Sequence, residues 1–213
     1  MVPDFKGGGF LFSIQYGYAV WDPNTARIGQ STEASDPGSM ARINSQLKSK
    51  PAHALTLGLA YNILGHVSIG ADITASGWDV FSPGRGGGGA VVGKIAWHPL
   101  QAVFAAMKED RKFGFDFNTF FGVGYGICGF GSGADNDKRG MDGLLFEWGL
   151  NADYFLARYF AIGIYVKGIF TSWDKYYIDF ENRADPGNTI TLHPVSGGAI
   201  WSFGLTLTFR GGE

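Results

Sequence analysis

At 213 residues the chain suits a single domain, and no Pro/Ser-rich linker divides it. Gly (34) and aromatic residues (15%) are abundant, while charged residues make up only 17%, against about 25% in soluble domains. A formal charge of −2 gives no footing for nucleic-acid binding, which uses a basic patch, and no apolar run approaches the about 18 residues of a transmembrane helix.

Strand one is predicted over residues 9–21. Phe10, Phe12, Ile14, Tyr16, Tyr18 and Val20 lie on one face, with Leu11, Ser13, Gln15, Gly17 and Ala19 on the other. Residues 22–51 lose this period and read as a long loop. Strand two, 53–64, sets Leu55, Leu57, Leu59, Tyr61 and Ile63 against Ala54, Thr56, Gly58, Ala60 and Asn62. Gly65 marks a tight turn into strand three, 66–78, where Val67, Ile69, Ala71 and Ile73 oppose Ser68, Gly70, Asp72, Thr74 and Ser76. The following glycine-rich segment, SPGRGGGG, lacks the Gly-Lys-Ser/Thr and the helix of a phosphate loop, so it reads as a flexible connection. Strand four, 89–98, points Val91, Ile95 and Trp97 one way and Ala90, Lys94 and Ala96 the other, with Val92 out of pattern. Pro99 ends it, and QAVFAAMKEDRK (101–112) reads as a short amphipathic helix or turn at a membrane surface.

Strand five, 113–127, alternates Phe113, Phe115, Phe117, Phe121, Val123, Tyr125 and Ile127 with Gly114, Asp116, Asn118, Gly122, Gly124 and Gly126. Phe120 is the only bulky member of its second face. A third loop, 129–143, is followed by strands six (144–156) and seven (159–171), a long antiparallel hairpin. Its greasy face carries Phe146, Trp148, Tyr154, Ile162, Ile164 and Val166, and its other face carries Glu147, Gly149, Asn151, Asp153, Gly163 and Lys167. Residues 173–198 form a long polar loop, and strand eight, 199–209, sets Trp201, Phe203, Leu205, Leu207 and Phe209 against Ser202, Gly204, Thr206 and Thr208.

The sequence thus predicts one all-β domain: an eight-stranded antiparallel up-and-down transmembrane β-barrel. Strands of about ten residues cross a bilayer at barrel tilt, and averaging two unlike faces leaves mean hydropathy near zero. Long and short connections alternate except after strand four, as expected for long extracellular loops, short periplasmic turns and periplasmic termini. Charge placement separates this reading from a soluble barrel with an apolar interior. Only Asp72, Lys94, Asp116, Glu147, Asp153 and Lys167 fall within the predicted strands, all on the small, polar face. Trp21, Trp78, Trp173 and Trp201 near the loop ends, and Trp97, Tyr61, Tyr154, Phe160 and Phe209 near the turn ends, fit two interfacial aromatic belts. Residues 1–9 lack the apolar core of an export signal, so the barrel reading expects that signal to have been removed.

By this pattern the whole chain resembles the small eight-stranded bacterial outer-membrane barrels of the OmpA, OmpX and OmpW type. The last strand, WSFGLTLTF, resembles the terminal assembly signal of such proteins, with Arg210 to Glu213 extending beyond its final aromatic residue. The resemblance implies a bacterial outer-membrane location and contact with membrane lipid and lipopolysaccharide.

Counting from the turn ends places Glu147 level with Lys167, and Asp72 level with Lys94, so ion pairs are expected inside the barrel. Asp116 and Asp153 form a like-charge pair, in which either one carboxyl is expected to be protonated or His98 or His66 to compensate. Together these six charged residues are expected to form a polar network that plugs the lumen. Ser68 shares a face with His66, but no oxyanion-hole pattern accompanies them, and no catalytic site is assigned. Asp135, Asp137 and Asp142 lack calcium-loop spacing, and no metal or cofactor is expected. The single cysteine, Cys128, excludes an intramolecular disulfide and reads as a small residue at a strand end. The expected function is a structural or interaction scaffold whose loops or turns engage an envelope or surface partner. The alternatives are a narrow channel for small or lipophilic solutes and, last, a lipid-A-modifying enzyme.

Overall fold

The computed structural model describes residues 8–21, 52–63, 65–78, 86–107, 114–131, 138–177, 184–191 and 197–211. Their backbone is dominated by long strands: β1 (Gly9–Trp21), β2 (Ala52–Ile63), β3 (Val67–Trp78), β4 (Gly86–Trp97), β5 (Phe115–Gly131), β6 (Lys138–Ala157) and β7 (Phe160–Tyr177). A three-residue strand β8 (Thr189–Thr191) precedes the last long strand, β9 (Gly197–Gly211). One helix, α1 (Pro99–Met107), follows β4.

Each long strand pairs antiparallel with its sequence neighbour, and β9 pairs with both β7 and β1. The ring β1-β2-β3-β4-β5-β6-β7-β9 therefore closes on itself as an eight-stranded barrel, leaving no edge among its long strands. β8 adds only a short flap beside β7, with Lys175, Tyr176 and Tyr177 facing Thr191, Ile190 and Thr189. The β2–β3 hairpin turns through Gly65, whose φ of 79° lies in the left-handed region that a residue without Cβ adopts at no steric cost.

The barrel is inside-out relative to a soluble domain. β2 alternates buried and exposed residues without a break, with Leu55, Leu57, Leu59 and Tyr61 outside and Ala54, Thr56, Gly58 and Ala60 inside. The other long strands repeat this partition through their central stretches, and the outer wall is a continuous apolar surface far larger than a water-soluble monomer presents. Among the described residues no helix is long and apolar enough to cross a membrane.

Several elements differ from the sequence expectation. β4 begins at Gly86, so the second half of the glycine run is strand rather than loop. Val92, out of pattern in the sequence, continues the inward series of β4 and is 1% exposed. The helix runs over Pro99–Met107, and residues 108–113 lie outside the described set. β6 and β7 form a taller hairpin than predicted, reaching Lys138 and Tyr177, and part of the fourth loop is the short strand β8. The long loop 22–51 also lies outside the described residues, as do Asp135 and Asp137.

Candidate functional site

The six charged residues singled out from the sequence all project into the lumen. Their burial follows from strand parity, because the inward face is the only place a charge on these strands finds polar partners away from the apolar outer wall.

At mid-height, Lys94 on β4 holds Asp72 on β3, with Nζ 2.7 Å from Oδ2. Their side chains are 9% and 1% exposed. Gly58 makes room for this pair: a Cβ there would lie 2.5 Å from both Asp72 Oδ1 and Ser13 Oγ. The Lys94 ammonium also lies over the Phe120 ring, 5.6 Å from its centroid, so a bulky inward residue of β5 fills space beside the cation. On the facing strands, Lys167 Nζ is 3.3 Å from Glu147 Oε2, with both side chains 1% exposed. Lys167 donates a further hydrogen bond across the lumen to Thr56 Oγ1 at 3.4 Å. Gln15 on β1 reaches Asn151 on β6 at 3.4 Å, and Asn151 donates to Asn118 at 3.3 Å. Tyr165 and Ser202 close the ring at 3.2 Å.

Nearer the end that carries β1's start and β9's finish, the polar cluster changes character. Asp116 and Asp153 stand directly opposite in the β5–β6 register. His98, immediately before α1, places Nδ1 2.8 Å from Asp116 Oδ2 and Nε2 3.1 Å from Ser68 Oγ. Gln101, one turn into α1, donates to Asp116 Oδ1 at 2.9 Å. Thr208 donates to Asp153 at 3.3 Å. His98 rather than His66 therefore faces the aspartate pair: His66 contributes its backbone carbonyl to the His98 N–H at 2.8 Å. Strand parity puts both histidines on the same face, and only the fold of the β4–α1 junction separates their roles.

Two small cavities flank the mid-height ring. One, of about 50 Å³, is lined by Ser13, Ser68, Lys94, His98, Asp116, Asn118, Asn151 and Asp153 among others. The other, of about 70 Å³ toward the loop end, is walled largely by apolar groups such as Val92, Leu145, Ile169 and Trp173, with buried Cys128 among them.

Of the residues expected in the aromatic belts, Trp97 (49% exposed), Trp201 (38%) and Phe209 (39%) point outward. Trp201 packs edge-on against Trp148, with centroids 6.2 Å apart, and Phe209 packs against Phe160 at 5.2 Å. The side chains of Trp21 and Trp78 lie outside the described set. Trp173 is a correction. Its indole is 4% exposed and lines the loop-end cavity. β7 continues to Tyr177 rather than ending at Thr171, so the two-residue period carries Trp173 to the inner face. Asp142 is likewise ordered by secondary structure rather than by a loop, accepting the Tyr177 hydroxyl at 2.5 Å. Among the described residues, no group of three His, Cys, Asp or Glu side chains is arranged to hold a metal ion.

No family model and no curated protein matches the chain. Among solved structures, Neisserial surface protein A is similar with a TM-score of 0.55 at 6% identity, over 95% of this chain and 98% of that one. The Yersinia pestis attachment invasion locus protein Ail gives a TM-score of 0.48 at 11% identity, over 95% and 99%. The N-terminal β-barrel domain of Pseudomonas aeruginosa OprF gives 0.46 at 10% identity, over 96% and 98%. The likeness to the Neisserial protein is one of fold: both are small eight-stranded barrels of the outer-membrane type.

Proposed function

We propose that this chain is a bacterial outer-membrane barrel that serves as a structural or interaction scaffold rather than as a pore. The supporting observation is the mid-height ring of the lumen. The Gln15–Asn151–Asn118 chain and the Lys167–Thr56 bond link side chains from opposite walls across the lumen, and the adjacent-strand pairs Lys94–Asp72 and Lys167–Glu147, with Phe120, fill the space between them. An eight-stranded barrel has an interior that side chains fill, and here they interlock through charge. In this reading the apolar wall contacts outer-membrane lipid and lipopolysaccharide, both termini face the periplasm, and the loops or turns engage an envelope or surface protein.

The test is single-channel recording of the refolded protein in a planar bilayer. A silent, folded and inserted barrel is the expected result. Steady ion-conducting openings would replace the scaffold with the narrow-channel alternative, whose gate would then be the residues of the mid-height ring.

A further inference from the structure

Ser68, His98 and Asp116 come from β3, the β4–α1 junction and β5, and no sequence spacing links them. The barrel brings them into one line, Ser68 Oγ to His98 Nε2 at 3.1 Å and His98 Nδ1 to Asp116 Oδ2 at 2.8 Å. We propose that Ser68 is an activated nucleophile with His98 as its general base, oriented by Asp116, and that the site acts on small carboxylic esters.

With Asp116 ionised and His98 neutral, the hydrogen bonds run in one direction. An ionised Asp116 only accepts, so His98 Nδ1 carries the proton on that side. With a neutral ring, Nε2 then presents its lone pair, and the Ser68 hydroxyl donates to it. This is the tautomer a serine nucleophile requires, and such constellations are recognised by geometry and not by chain order. Asp116 is itself held, because its second oxygen accepts from the Gln101 amide at 2.9 Å. The imidazole is fixed from its backbone as well: the His98 N–H donates to His66 O, and the His98 carbonyl accepts from Ala102 N at 3.1 Å as α1 begins.

A second observation points to a reactant. All three residues line the cavity of about 50 Å³, which Lys94 also lines. That volume restricts the acyl group to a short one, and Lys94, although paired with Asp72, lines the same wall and has further N–H groups to donate to a developing oxyanion. Ser13 lines the same cavity, yet no histidine hydrogen-bonds to it among the described residues, which makes it a built-in control.

In the reaction, a bond forms between Ser68 Oγ and the ester carbonyl carbon as the hydroxyl proton passes to His98 Nε2. The carbon–oxygen bond to the alcohol then breaks, and the departing alkoxide takes that proton. Water repeats the sequence on the acyl-serine, releasing the acid and restoring Ser68. Asp116 and Gln101 are positioning residues.

The test treats the folded protein, in detergent and verified by heat-modifiable mobility, with methanesulfonyl fluoride, followed by peptide mass mapping and by p-nitrophenyl acetate turnover. The expected result is sulfonylation of Ser68 with release of fluoride, loss of both readouts in S68A, and at least a 100-fold slower reaction in H98Q. D116N should lower the maximal inactivation rate without changing the probe concentration that gives half of it, which a packing role would not do. An unmodified Ser68 in the folded protein overturns the proposal, as does equal modification of Ser13 or indifference to H98Q. Modification of Ser68 without ester turnover overturns the substrate class. The inference is separable from the scaffold reading, since conductance and Ser68 reactivity are measured independently.

Discussion

Replacing Lys167 by methionine leaves Glu147 buried, 1% exposed, opposite an apolar side chain of similar length. At the observed 3.3 Å, two unit charges in an effective dielectric of 20 attract by about 5 kcal/mol, much of which offsets the cost of removing both from water. Removing one partner of such a pair costs about 3–5 kcal/mol, roughly two to three and a half decades in the unfolding equilibrium. The pair is also incompletely satisfied, because Glu147 Oε1 is buried without a hydrogen-bond donor among the described residues. The double variant K167M/E147L should therefore recover most of the loss, as buried ion pairs replaced by packed apolar groups often do. Equilibrium urea unfolding in lipid vesicles, followed by tryptophan fluorescence, measures both. A loss below about 1 kcal/mol in K167M, or a double variant no better than the single, would refute the buried-pair reasoning.

Ile164 and Leu205 face each other on the outer wall, 62% and 61% exposed, between the aromatic residues at the two ends of β7. Ile164→Arg should cost about 2–4 kcal/mol in vesicles if that wall meets the bilayer core, and the same unfolding assay reads it. Trp173 should escape quenching by lipids brominated along their chains, while Trp148 and Trp201 are quenched, in variants retaining one of these indoles at a time with the remaining tryptophans replaced by phenylalanine. Gly149→Ala would place a Cβ 2.5 Å from Phe120 Cζ and 2.6 Å from the Val166 carbonyl oxygen. Such overpacking should destabilise the barrel by about 1–3 kcal/mol in the urea assay, whereas Gly211→Ala, with nothing within 4 Å, should be nearly silent.

The sequence by itself determined the two faces. Side chains alternate with a period of two, so Leu55, Ile164 and Phe203 had to share one surface, and Asp72, Glu147 and Lys167 the other, once each segment was a strand. It also determined which charges on neighbouring strands lie at similar heights: counting from the turn ends matched Lys167 with Glu147 across the tight β6–β7 hairpin and Lys94 with Asp72 across the longer β3–β4 connection, each pair diagonal in the register. Where a strand ended was less legible. Taking β7 to stop at Thr171 turned Trp173 outward, while the strand runs six residues further, to Tyr177, and carries it inward. Contacts across the lumen belong to the tertiary structure alone. Gln15 meets Asn151 and Lys167 meets Thr56 over sequence separations of 136 and 111. His98, rather than its face-mate His66, meets Ser68 and Asp116 because α1 turns the chain over the barrel mouth. The physical reason is that parity is a local property of each strand, whereas the height at which two distant strands face one another depends on how far every pair is staggered around the closed ring.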